Sequence, residues 1–194
     1  MPIKPIDVPE TEGAFDVVHQ ALSSRALASA FSLPRLSQAD PGRLSIALPH
    51  RVEFLGRGDL RGDAIPRKEK ADCWRFLVLQ ERAAVAAATA FREGERFAFG
   101  DLNEGPFVKG TEDAILRAEA IDAVGQGQFE AALLVVPALY VVALWLQDLS
   151  RQAADGNPGK TDLLIALAPS NPALKPTEPM TLASFLAAVR RQAR

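Results

Sequence analysis

The longest apolar segment of the chain, Ala131 to Leu146, reads AALLVVPALYVVALWL. A helix that crosses a membrane needs about 20 mainly apolar residues, and this segment is shorter. Glu130 precedes it and Gln147 and Asp148 follow it, so it also lacks the basic flank that orients a spanning helix. The pattern therefore predicts a segment buried in a protein core.

Pro137 divides this segment, because proline removes an amide donor and restricts the residue before it. We predict a strand over 129–136, which is rich in valine, leucine and phenylalanine. The periodicity of 138–146 is compatible with a buried strand or a buried helix. Its Tyr-Val-Val and tryptophan content favours a strand.

Three segments place apolar residues at helical spacing, and they predict helices over 14–32, 111–124 and 182–191. Thr111 and Thr181 are the expected N-caps of the second and third helices. Alternating or β-rich segments predict strands over 43–48, 51–55, 74–79, 83–90 and 96–99, with 74–79 and 83–90 paired as a hairpin. The segments 43–48 and 51–55 are either two short strands or one bent edge strand. The alanine run within 83–90 is also compatible with a helix.

The order of these elements lacks the regular alternation of strand and helix found in parallel doubly wound sheets. We therefore predict an α+β fold, with a mainly antiparallel sheet of about six to eight strands and the three helices packed on its buried face. Residues 1–13 contain several prolines and predict an extended N-terminal arm, and residues 14–194 a single domain.

Composition narrows the range of functions. The net charge is −2 and no segment carries a dense basic cluster, which argues against binding nucleic acid. Cys73 is the single cysteine, so an intrachain disulfide is impossible. With no signal-peptide pattern at its start, the chain is expected to be cytoplasmic.

The chemistry available for catalysis is sparse. His19 and His50 have no metal or triad spacing, and Cys73 lies beside Asp72, which would raise rather than lower the pKa of a thiol. We expect no metal and no cofactor. The sequence leans away from an enzyme.

One segment resembles a phosphate-binding loop in its permissive form. Ala154 to Thr161, ADGNPGKT, would place Gly156, Gly159, Lys160 and Thr161 around a nucleotide phosphate. In such a loop a helix follows the threonine, but here the β-like sequence DLLIALA follows it. We therefore favour a turn that connects two strands, with the phosphate-binding loop as the alternative.

Three classes of function stay open: an interaction or assembly subunit, a small-ligand or nucleotide-binding enzyme that uses the Ala154–Thr161 loop, and a peripheral membrane protein. We favour a non-enzymatic subunit that binds another protein or itself, because the chain is 48% hydrophobic and its catalytic inventory is small. The expected interface residues are Tyr140, Trp145 and Phe185, from the apolar segment and the last helix.

Overall fold

A computed structural model describes residues 3–4, 9–24, 33–61, 71–122, 124, 129–149 and 161–192. Within them, three α-helices and one nine-stranded sheet form an α+β fold, as the sequence predicts. The helices are α1 (Pro9–Ser23), α2 (Pro106–Glu119) and α3 (Leu182–Gln192). The strands are β1 (Ile3–Lys4), β2 (Leu44–Phe54), β3 (Cys73–Gln80), β4 (Ala83–Glu93), β5 (Arg96–Asn103), β6 (Phe129–Val136), β7 (Val141–Asp148), β8 (Leu163–Ala166) and β9 (Pro179–Thr181).

The sheet consists of two antiparallel meanders joined side by side. Its order is β5-β4-β3-β2-β6-β7-β8-β9, so each meander runs outward from a central strand. The two central strands, β2 and β6, are parallel, with Arg51 opposite Ala132 and Phe54 opposite Val135. The short β1 also pairs in parallel with β6. The sheet is therefore mainly antiparallel, with a parallel joint at its centre.

Helices cover both faces of the sheet. On one face α1 packs over β3, β4 and β5, and α3 packs over β6, β7 and β8. On the other face α2 packs over residues of β3, β4, β6, β7 and β8. We expected one buried face, and the structure corrects this expectation to two.

This arrangement explains the long apolar segment. It forms the hairpin of β6 and β7, which lies between α2 on one face and α3 on the other. Strands buried on both faces need apolar residues at nearly every position rather than at alternate ones. The predicted strand 129–136 matches β6, and the preference for a strand after Pro137 is confirmed by β7.

The hairpin predicted between 74–79 and 83–90 is formed by β3 and β4. The alanine run is therefore a strand. The two residues that connect the strands, Glu81 and Arg82, both have positive φ. This is the backbone of a type I′ turn, whose twist matches that of the flanking strands.

Two helix starts differ from the predicted ones. α1 begins at Pro9 rather than Ala14, so residues 9–13 belong to this helix and not to an extended arm. α2 begins at Pro106, after Gly105, rather than at Thr111. Proline suits the first helical position because its missing N–H has no partner there. Residues 25–32, the end of the predicted first helix, lie outside the described residues.

The start of α3 is as predicted. The Thr181 hydroxyl accepts a hydrogen bond from the Ser184 amide (3.3 Å) and lies 3.0 Å from the Ser184 hydroxyl. Arg190 and Arg191 occupy the last turn, where the helix dipole favours cations.

β2 is a single bent strand inside the sheet, where the sequence suggested two short strands or one bent edge strand. Its pairing with β3 shifts register between Ala47 and His50. Leu48 has φ 52° at this bulge, and Pro49 follows it. A bulge is one of the few places in a sheet where proline fits, because the ladder is already interrupted there. The bulge sets the direction in which His50 points.

Glycines at the fifth position of α1 and of α2 have different surroundings and provide a matched test of packing. A Cβ on Gly110 of α2 would lie 2.7 Å from the Ala168 carbonyl oxygen, whereas a Cβ on Gly13 of α1 would lie 3.5 Å from the Phe97 ring. We expect Gly110→Ala to lower the free energy of unfolding by about 1–2 kcal/mol, because overpacking against backbone outweighs the better helix propensity of alanine.

The matched change Gly13→Ala should raise the free energy of unfolding by up to about 1 kcal/mol, since only the better helix propensity of alanine acts there. Urea denaturation of both variants measures the difference. Equal effects of the same sign would contradict the close approach of α2 to the sheet.

Among the described residues, no helix has both the length and the apolar character needed to cross a membrane.

Candidate functional site

The three residues expected at an interface have different surroundings. Trp145 on β7 and Phe185 on α3 are fully buried, and they belong to the same core cluster. The indole Nε1 of Trp145 donates a hydrogen bond to the buried Asp162 carboxylate (2.9 Å). Both rings thus fill this chain's own core, which corrects their predicted role as surface contacts. Tyr140 alone of the three is exposed.

Tyr140 occupies the turn between β6 and β7 in an unusual state. Its side chain is 88% exposed, and its φ of 52° and ψ of 39° place it in the left-handed region. That conformation costs an ordinary L-residue roughly 1–2 kcal/mol, and glycine or asparagine adopts it more easily. Neither packing against the described residues nor the backbone conformation accounts for a tyrosine here.

An apolar surface lies on the sheet near the turn of the β6–β7 hairpin, the turn that holds Tyr140. Phe54, Val135 and Val142 are directly opposite one another on three adjacent strands, so their side chains share one face. Phe54 is 53% exposed, and the two valines are partly exposed. We call Phe54, Val135, Val142 and Tyr140 the apolar patch.

The other large apolar side chains that are exposed in the described part of the chain are dispersed. Phe15 on α1 stacks on His19 at 5.9 Å and meets Phe76 edge-on at 6.3 Å. Phe91 on β4 lies over Gly100, where a Cβ would overlap its ring. Leu116 points outward from α2. Single exposed apolar residues are normal on a protein surface, whereas adjacent ones mark contact sites.

A row of polar side chains crosses the meander of β2 to β5, on the face of the sheet that α2 covers. His50, Arg75 and Thr89 are register partners on β2, β3 and β4, and Thr89 contacts Asp101 on β5. The Thr89 hydroxyl donates to Asp101 Oδ1 (2.5 Å) and accepts from the Asp101 amide (3.0 Å). The row runs from a fully buried histidine to an exposed carboxylate.

His50 is the buried end of this row, with 1% of its surface exposed. Its Nδ1 lies 2.6 Å from the Leu48 carbonyl oxygen, so the proton is assigned to Nδ1 and a lone pair to Nε2. Nε2 is buried and has no hydrogen-bond partner among the described residues. Burial, and then the charge of Arg75, lower the pKa of His50 from 6.5 to about 3. The ring is neutral at physiological pH.

Arg75 is 7% exposed and stands in the middle of an otherwise apolar strand. Its Nη1 donates a hydrogen bond to the Thr111 hydroxyl of α2 (3.1 Å), which in turn donates to the Phe107 carbonyl oxygen (2.7 Å). Thr111 is therefore a contact of Arg75 and not the cap of α2. Among the described residues no carboxylate forms an ion pair with Arg75. Burial lowers the pKa of its guanidinium.

Cys73 lies on the same strand and is buried. Burial, followed by the negative charge of Asp101, raises the pKa of its thiol to about 12. A thiol in that state is not a nucleophile at neutral pH. His19 is exposed on α1. The described part of the chain holds no group of three or more histidine, cysteine, aspartate or glutamate side chains that could share a metal ion.

The predicted nucleotide loop lies mainly outside the described residues, which include Thr161 but not Gly156, Gly159 or Lys160. Thr161 is in a turn before β8, so a strand follows it and not a helix. Its hydroxyl donates to the Asp148 carboxylate (2.7 Å) at the end of β7. The amides of a helix N-terminus, which hold phosphate in a true loop of this kind, are absent after Thr161.

Comparison of the chain with protein-family models, with curated proteins and with solved structures gives no match.

Sequence reasoning missed the polar row, since its members come from four strands and meet only through the register. One signal was present: Arg75 interrupts the apolar sequence CWRFLVL. A charged residue at a buried strand position is rare unless it has a partner or a function.

Proposed function

We propose that this chain is a non-enzymatic interaction or assembly subunit that associates through the apolar patch, with a second copy of itself as the first partner to test. The supporting observation is Tyr140, an exposed aromatic residue held in a left-handed turn two residues before Val142, in the hairpin whose Val135 pairs with exposed Phe54. Tyrosine is enriched at the centres of protein interfaces, where it supplies a large contact area with few rotatable bonds.

The energetic gain from covering this patch is substantial. Burying one large apolar side chain contributes roughly 1.5–3 kcal/mol. Tyr140 and Phe54 together therefore supply enough to act as the main contacts of a modest interface. Val135 and Val142, on β6 and β7, form a rigid base because both strands are hydrogen-bonded on each side.

Solution mass measured by light scattering over a dilution series tests this proposal. We expect an oligomer whose mass is constant until the protein is strongly diluted. The double change Phe54→Thr with Tyr140→Asn should weaken association by at least roughly 30-fold, the effect of losing about 2 kcal/mol. Asparagine tolerates the left-handed backbone and threonine suits a strand, so the variant should keep its fold.

Leu116→Gln is the matched control, since Leu116 is 58% exposed on α2 but is not part of the apolar patch. It should associate like the unmodified protein. A monomer at every concentration, or a double variant that associates normally, would exclude self-association through this patch.

The nucleotide-binding alternative stays a prediction for the loop around Lys160, and the strand after Thr161 weighs against it. A cytoplasmic location likewise stays a prediction.

A further inference from the structure

We draw no further inference here: the strongest candidate, the outer edge of strand β5 from Phe97 to Gly100, carries nothing, because Phe99 on this edge has an interaction partner of its own and nothing in the described part of the chain shows what covers the edge.

Discussion

Replacing Asp162 by alanine should lower the free energy of unfolding by about 3–5 kcal/mol. Asp162 is fully buried between β7 and β8, and its two carboxylate oxygens accept hydrogen bonds from the Trp145 indole (2.9 Å) and the Asp148 amide (3.0 Å). Removing the acceptor from a buried donor costs roughly 1–3 kcal/mol, and removing a buried charged group from its network costs more.

Urea denaturation measures this effect, with two variants for comparison. Asp162→Asn keeps one carbonyl oxygen as an acceptor, so it should lower the free energy of unfolding by less than Asp162→Ala does. Asp16→Ala removes an exposed carboxylate of α1 and should change stability by less than about 0.5 kcal/mol. A loss below about 1 kcal/mol for Asp162→Ala would mean that this carboxylate does not hold β7 and β8 together.

The second large effect has the opposite sign, because Arg75→Met should raise the free energy of unfolding by about 1–4 kcal/mol. Methionine fills a similar volume without the cost of removing a cation from water. The Thr111 hydroxyl keeps its hydrogen bond to the Phe107 carbonyl oxygen, so no buried donor is abandoned. Such a gain would identify Arg75 as a residue kept at the expense of stability, as residues of binding sites often are.

Acid titration supplies a second readout for the same variant. The folded protein holds the pKa of His50 at about 3, below its usual 6.5, chiefly by burial and then by the charge of Arg75. The unfolded chain therefore protonates His50 below pH 6.5, whereas the folded chain keeps it neutral down to about pH 3. The free energy of unfolding is highest above pH 6.5 and falls as the pH is lowered toward 3. In Arg75→Met the pKa of His50 should be lowered less, because the charge of Arg75 is gone. The stability lost between pH 6.5 and 3 should therefore be smaller.

Arg96→Met, at an exposed position of β5, is the control. It should change the free energy of unfolding little. Destabilisation of Arg75→Met by more than about 1 kcal/mol would show instead that the guanidinium supports the fold.

Much of the fold could be predicted because local signals were strong. Pro137 marked the turn between two apolar segments, and β6 has the predicted bounds. Thr181 was recognised as a cap from its position before the apolar stripe of α3. These features depend on residues near one another in sequence, where periodicity and turn chemistry are informative.

The errors have a shared physical cause. Thr111 looked like a helix cap, but its hydroxyl donates to the carbonyl oxygen four residues earlier, an alternative open to any threonine within a helix. Trp145 and Phe185 looked like surface contacts, but whether an apolar residue faces solvent depends on which elements cover it. The polar row required the register of four strands and the bulge at Leu48, and neither has a local sequence signal.

The parallel pair of β2 and β6 makes the two meanders depend on each other during folding. Within each meander, successive strands are neighbours in the sheet, so their pairing closes shorter loops than the central pair does and should form earlier. The central pair joins Arg51 to Ala132, residues far apart in sequence, and pays a larger entropy of loop closure. Until that pair forms, each meander has an open inner edge able to accept a foreign strand, so crowded nascent chains are most vulnerable to misassembly at that stage.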